Sequence, residues 1–238
     1  MMATYYGDTN SANYNDYMGP YTGPNTLYGG AGNDTIEGYT DADRLDGESG
    51  DDLLFGWFGN DTMFGGTGND ELWGEDNNDI ISGGDGNDSL VGGNNNDTLN
   101  GNAGNDLLYG DYYSTETGQD ILSGGAGSDT MYGGVNNDTY IYNFNADGFD
   151  FVYDVAGDYD TLRVNGVSNI SQIEVHRASV IGESDNHVII YTDADAADSV
   201  LSEYVLVANY FNGSSYAEGR IEYLNVNGTQ YWFSDYIV

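Results

Sequence analysis

The chain contains no cysteine and no lysine, and only two prolines and two histidines in 238 residues. Without cysteine there is no disulfide framework and no thiolate metal site. That absence does not place the chain in the cytosol, because an exported protein held together by metal has no need of disulfides. Four Lys+Arg stand against forty Asp+Glu, a net charge of −36. A chain so short of cations cannot bind nucleic acid by neutralising phosphates. It is also repelled by anionic membrane surfaces, and it repels itself when compact. No apolar run is long enough to cross a bilayer, so membrane insertion is not expected. The start, Met1-Met2-Ala3-Thr4-Tyr5-Tyr6-Gly7-Asp8, lacks the basic region and apolar run of a secretory signal peptide. A charge balance like this often marks disorder. Here 39% hydrophobic and 14% aromatic content argue against simple disorder, and a bound cation would reconcile the two.

What the chain has in abundance is glycine, 36 residues, in register. The stretch Gly65-Gly66-Thr67-Gly68-Asn69-Asp70-Glu71-Leu72-Trp73 recurs almost letter for letter as Gly83-Gly84-Asp85-Gly86-Asn87-Asp88-Ser89-Leu90-Val91. One aspartate returns every nine residues: Asp34, Asp43, Asp52, Asp61, Asp70, Asp79, Asp88, Asp97 and Asp106, then, after one longer unit, Asp120, Asp129 and Asp138. Two residues after each comes an apolar side chain: Ile36, Leu45, Leu54, Met63, Leu72, Ile81, Leu90, Leu99, Leu108, Leu122, Met131 and Tyr140. Two residues before each comes Gly, Asn or Asp, the types that tolerate a left-handed backbone. Residues 29–141 thus hold twelve units, eleven of nine residues and one of fourteen. Residues 1–28 read as a polar leader in which Asp16 with Met18, and Asn25 with Leu27, continue the pattern in degenerate form.

Each unit reads as six residues of turn and three of strand, with only the middle strand residue pointing inward. One unit cannot bury a core alone, so units must stack as a solenoid. Two units make an eighteen-residue coil, and units n and n+2 lie over one another. Asp34, Asp52, Asp70, Asp88 and Asp106 then line one edge, and Asp43, Asp61, Asp79 and Asp97 the other. Carboxylates stacked at about 5 Å repel unless a hard divalent cation lies between them. Calcium, with six to eight oxygen ligands in flexible geometry, suits such loops better than magnesium.

The nonapeptide GGxGxDxUx over residues 29–141 resembles the RTX, or haemolysin-type calcium-binding, repeat. The resemblance implies an all-β fold: a parallel β-roll solenoid of nonapeptide repeats with a C-terminal β-rich capping segment. It implies Ca²⁺ held by the aspartates named above. It also assigns ligand carbonyls to the loop glycines Gly32, Gly50, Gly59, Gly68, Gly86, Gly104, Gly118 and Gly127. Units 38–46, with Tyr39 and Asp41 in glycine slots, and 47–55, with Glu48, depart from the pattern, so weaker or empty sites are expected there. Residues 142–238 change character, with β-type runs at 170–176, 187–191, 204–211, 220–226 and 229–233 and a hairpin signal at Asn227-Gly228. This segment resembles the cap and secretion region that follows such rolls. Its last residues, Asp235-Tyr236-Ile237-Val238, resemble the signal read by type I secretion machinery.

Two outward faces differ. One carries Leu53, Phe55, Trp73, Val91, Leu107 and Tyr109 with Glu71 and Ser89. The other carries Arg44, Asp46, Thr62, Phe64, Ile80, Ser82, Thr98 and Asn100. The first is expected to be the less exposed, covered by the C-terminal part or by another roll, or else serving as a contact platform. The insertion 110–123 reads as a tolerated loop or as a contact loop. No HExxH and no GxSxG occurs, and His176 and His187 fall in β-type runs, so no catalytic residue is expected. The reading is a non-enzymatic, extracellular calcium-binding protein, structural or adhesive, with calcium ions and type I secretion machinery as partners. Cell-surface glycan and self-association are its outward possibilities. The alternative is an accessory glycan-binding or chaperone-like module of a polysaccharide-acting enzyme; a start at Met1 with no catalytic region favours the first.

Overall fold

The computed structural model describes residues 3–6, 17–18, 23–113, 115, 117–144, 148–153, 160–166, 173–178, 187–192, 204–208, 221–226 and 229–232. Among these, every regular element is a strand, and no helix occurs. Strands alternate along the chain between two sheets of eleven strands each. Within each sheet the strands from residue 3 to residue 165 pair in parallel, as stacked coils of a solenoid require.

Register follows the nine-residue period. In the first sheet Leu27, Leu45, Met63, Ile81, Leu99, Leu122, Tyr140, Leu162 and Leu224 lie over one another. In the second sheet Met18, Ile36, Leu54, Leu72, Leu90, Leu108, Met131 and Val152 do the same. From Leu27 onward these side chains are fully buried and form one continuous core. Each such burial stabilises by about 1.5–3 kcal/mol, which no single coil could accumulate.

The strands are longer than the three residues expected. Most run six residues, as Thr62–Thr67 and Ser89–Asn94 do, so only three residues per unit form the turn. The reason is the first glycine of each unit, which is glycine in all twelve. It continues the strand and is buried beside the apolar residue, giving an inward pair of one large side chain and one hydrogen. The two sheets therefore close on each other without a second layer of side chains.

The same stacking reaches beyond both ends of residues 29–141. Tyr17–Met18 pairs with Thr35–Ile36, and Asn25 is buried where other coils place aspartate. Toward the C-terminus, Asp150 and Asp160 occupy the aspartate position, and Val152 and Leu162 the core rows. Tyr204–Ala208 and Ile221–Val226 still join Phe149–Tyr153 and Asp160–Asn165 in parallel, and the strands added beyond them pair antiparallel. Ile173–Ala178, His187–Thr192 and Tyr204–Ala208 extend the second sheet, and Ile221–Val226 with Thr229–Trp232 ends the first. Val226 faces Thr229, as a two-residue hairpin connection requires; Asn227, Gly228, Asp16 and the terminal 235–238 lie outside the described residues.

The two outer faces differ as expected, and the fourteen-residue unit contributes to the cover of the first. Val91 is buried and Glu71 alone of its eight is exposed, whereas Ile80, Thr98 and Asn100 are exposed on the other face. The fourteen-residue unit folds back over this sheet. Tyr112 packs edge-on against Trp73 at 5.3 Å and against Tyr109 at 5.2 Å, the two residues that flank Val91 in register. Tyr109, Tyr132 and Tyr153 continue the row as a stack with ring centroids 4.7 and 4.9 Å apart.

Candidate metal centre

Each turn reverses the chain with two left-handed residues. The fourth residue of the unit has positive φ in eleven of twelve turns, at Gly32, Asp41, Gly50, Gly59, Gly68, Asn77, Gly86, Asn95, Gly104, Gly127 and Asn136. Gly118, in the long unit, is the exception. The second residue is left-handed as well in every unit but the long one, where it is Asp111; the left-handed ones include Tyr39, Glu48, Trp57 and Glu75. A left-handed non-glycine residue costs about 1–2 kcal/mol, so the departures at 38–46 and 47–55 are absorbed as strain while Asp43 and Asp52 keep their places.

The turns bring the aspartates into two files, as expected. One runs Asp34, Asp52, Asp70, Asp88, Asp106, Asp129, Asp150. The other runs Asn25, Asp43, Asp61, Asp79, Asp97, Asp120, Asp138, Asp160. In both, Oδ1 of each carboxylate accepts the backbone N–H of its predecessor in the file. Asp52 N donates to Asp70 Oδ1 at 2.8 Å, and Asp61 N to Asp79 Oδ1 at 2.7 Å. The insertion keeps both files in step: Asp97 N donates to Asp120 Oδ1 and Asp106 N to Asp129 Oδ1, each at 2.8 Å. Outside them runs a ladder of position-five side chains. Asn33, Asp51, Asn69 and Asn87 each accept the backbone N–H one coil on, through Oδ1. Each turn is thus tied to its neighbours in both directions.

The second oxygen is a different matter. Oδ2 of Asp43, Asp52, Asp61, Asp70, Asp79, Asp88, Asp97, Asp106, Asp120 and Asp129 is buried and accepts no hydrogen bond. A buried carboxylate oxygen without a partner is costly. Burial pushes these acids well above 3.8: Asp43, Asp70 and Asp129 to about 6, Asp52, Asp61 and Asp106 to about 7, Asp79 and Asp120 to about 8, and Asp97 to about 9. The N–H bond to Oδ1 pulls the other way, and for most of them neighbouring carboxylates in the file add to the upward push.

Backbone oxygens converge on the same place. A methyl group added to Gly56 would fall 2.6 Å from Asp61 Oδ2 and 2.8 Å from the Gly74 carbonyl oxygen. Gly29 repeats this with Asp34 Oδ2 at 2.6 Å and Gly47 O at 2.8 Å. Among the described residues no three carboxylate or imidazole groups converge as a ready-made cage. Each turn offers carboxylates from successive coils with carbonyl oxygens between them. That donor set is all oxygen, charged and irregular, which fits a hard cation with a flexible shell. The expected aspartates are therefore brought into files, and a calcium ion between coils would meet the orphaned Oδ2 atoms; the carbonyls beside those atoms belong to first glycines such as Gly47 and Gly74, whereas the carbonyls of Gly32, Gly50, Gly68, Gly86 and Gly104 lie against the fourth glycine one coil on.

Several contributors lay outside the expectation. The first glycine of each unit matters as much as the fourth, and its invariance is visible in the sequence. Asp150 and Asp160 belong to the files but follow Asp138 by twelve and ten residues more, off the nine-residue period. At the last turn Tyr140, in an aliphatic slot, accepts the Gly133 N–H through its hydroxyl at 2.8 Å and lies beside Asp138. His176 and His187 fall on paired strands but not opposite each other, since Ile189 faces His176.

Sequence comparison agrees with this geometry. Four copies of the RTX calcium-binding nonapeptide repeat match residues 21–54, 55–90, 82–111 and 110–140, together just over half of the chain. The comparison with curated proteins found no match.

Proposed function

The chain belongs to the RTX calcium-binding nonapeptide repeat family, and from that premise we propose that calcium decides whether it folds. The observation that carries this is the double file of buried Oδ2 atoms with no hydrogen-bond partner. Asp34, Asp43, Asp52, Asp61, Asp70, Asp79, Asp88, Asp97, Asp106, Asp120, Asp129 and Asp138 would hold the ions, with loop carbonyls completing each shell. Bound calcium supplies positive charge between coils; the chain's own part is to position oxygens and exclude water. Extracellular calcium modules bind at about 10⁻⁴–10⁻³ M. At about tenfold excess over Kd each site adds roughly 1.4 kcal/mol by linkage. About ten such sites match a typical total stability of about 5–15 kcal/mol.

On this reading the protein is an extracellular, non-enzymatic structural or adhesive module. It stays unfolded and self-repelling where calcium is scarce, is exported by type I machinery, and folds outside. Residues 142–238 cap the roll and carry the export signal. Circular dichroism with and without chelator tests the switch: β signal should appear with millimolar calcium and vanish in chelator, and an unchanged spectrum refutes it.

One observation favours a second reading as a glycan-binding accessory module. Trp57, Phe58, Tyr112 and Tyr113 are exposed, and Trp73 and Tyr109 lie beneath the tyrosine loop on the same sheet. Aromatic surfaces with acidic neighbours such as Glu71, which accepts the Trp73 indole N–H at 2.8 Å, suit sugar rings. A glycan array in millimolar calcium discriminates the two: selective binding supports the module, and none leaves the structural role.

A further inference from the structure

The outer face of the first sheet reads nearly the same from both ends. Thr98 and Asn100 mark its centre. One strand out on either side stand Ile80 with Ser82 and Ile121 with Ser123. Two strands out stand Thr62 with Phe64 and Thr139 with Ile141. Three strands out stand Arg44 with Asp46 and Thr161 with Arg163. The first residue of each pair belongs to one outward row and the second to the other.

A two-fold axis along the strand direction at Thr98 and Asn100 lays this face on a second copy of itself, each row over its own counterpart. Ile80 then meets Ile121 of the other copy, Ser82 meets Ser123, Thr62 meets Thr139 and Phe64 meets Ile141. Asp46 meets Arg163. Every one of these contacts occurs twice, as an isologous interface requires. On the axis Asn100 meets Asn100. It donates one Nδ2 hydrogen to Asn102 Oδ1 at 2.9 Å, and its other hydrogen and its Oδ1 suit a reciprocal amide pair.

Exposure and charge favour the same partner. Ile80, 55% exposed, and Ile121, 37%, are the two aliphatic side chains among the exposed large hydrophobics of the described residues. Among those residues the one ion pair is Arg44–Asp46, and Arg163 is exposed without one. The seven strands carry two arginines and one aspartate in these rows, in a chain of net charge −36. Two such chains can therefore meet here without opposing carboxylates in the rows. The second sheet is less free, because the fourteen-residue unit folds over it. We propose that this face is a self-association surface, on which a second copy docks with its roll axis antiparallel about Thr98 and Asn100. Strands about 4.8 Å apart with residues about 3.3 Å apart make the face roughly 30 Å by 20 Å. That is about 600 Å² per copy and about 1,200 Å² in all, the lower end of specific interfaces. The dimer is therefore reversible, with a dissociation constant of micromolar order.

This rests on the calcium-folded structural role proposed above. Sedimentation equilibrium of the full chain in millimolar calcium, with circular dichroism alongside, keeps the two apart. The unaltered chain should pass from monomer to dimer as concentration rises through the micromolar range. Arg163→Glu should weaken the dimer about tenfold or more by opposing like charges, and adding Asp46→Arg should restore most of it. The two positions lie six strands apart in one chain, roughly 30 Å, so only contact between copies can couple them. Ile80→Asp should also weaken it about tenfold or more, by burying a carboxylate against Ile121. The chain has no cysteine, so introduced thiols report the register. A short bis-maleimide should join Thr62→Cys to Thr139→Cys only when the two are mixed, and Thr98→Cys to itself. A monomer at every concentration, with β structure intact in calcium, would overturn the surface and leave the calcium reading standing. A dimer unmoved by Arg163→Glu and Ile80→Asp would do the same. An unaltered chain that stays unfolded in millimolar calcium would overturn both.

Discussion

Replacing Asp79 by asparagine should change stability in opposite directions with and without calcium. Asp79 is about 1% exposed, and burial raises its pKa from 3.8 to about 8, against the pull of its bond from Asp61 N–H. A carboxyl group raised in the folded state favours folding fully only below its unfolded value of about 3.9. That contribution is lost as pH rises through the folded value of about 8. At pH 7 the difference of about three pKa units costs the metal-free roll about 4 kcal/mol at this one position. Two or three such positions exceed most of a typical stability of about 5–15 kcal/mol. Asparagine keeps the oxygen that accepts the Asp61 N–H and removes the charge. Its amide N–H₂ takes the place of Oδ2, beside the Gly92 carbonyl that a methyl group on Gly74 would meet at 2.6 Å. The chain already does this once: Asn25 occupies the slot and donates Nδ2–H to Gly23 O. With calcium the sign reverses, because the same change removes a ligand and about 1.4 kcal/mol of linkage for every tenfold loss in affinity. The assay is β-sheet circular dichroism against pH in chelator, and urea unfolding in millimolar calcium. The metal-free transition of Asp79→Asn should lie at higher pH than that of the unaltered chain, and its urea midpoint in calcium should fall. A shift in the same direction under both conditions would refute the reasoning.

Other expectations follow from single atoms. Gly56→Ala forces a methyl group within 2.6 Å of Asp61 Oδ2 and should cost about 2–3 kcal/mol as overpacking; Gly23→Ala, with φ +88° and nothing within 4 Å, should cost only about 1 kcal/mol of backbone strain. Both are read from urea midpoints in calcium. Tyr140→Phe leaves the buried Gly133 N–H without its acceptor and should cost about 1–3 kcal/mol in calcium, measured the same way. Asn69→Ala should cost about 0.5–1 kcal/mol by removing the acceptor of Asn87 N–H. Asn69→Asp should cost less, since Asp51 accepts an N–H in the same ladder.

The core rows and both aspartate files were legible because an invariant nine-residue period leaves register no freedom: Leu54 can meet only Ile36 and Leu72. Strand length was not, because glycine in sequence signals a turn, whereas the buried first glycine of each unit is glycine for lack of space. Asp150 and Asp160 were only loosely visible, since the connections before them break the count while the sheet registers restore it. The asymmetry of the two outer faces could be read from alternation, as Val91 and Asn100 illustrate. The return of the fourteen-residue unit over that face could not, because the packing of Tyr112 on Trp73 is a tertiary contact with no periodic signature.

The account stands on divalent ions lodged between coils beside the orphaned Oδ2 atoms. Anomalous diffraction from crystals grown with calcium and soaked with terbium tests this directly. It predicts two files of peaks, one passing Asp52, Asp70 and Asp88 and the other Asp61, Asp79 and Asp97, each peak bounded by carboxylate and carbonyl oxygens of successive coils. Ordered coils with water alone beside those oxygens would contradict it.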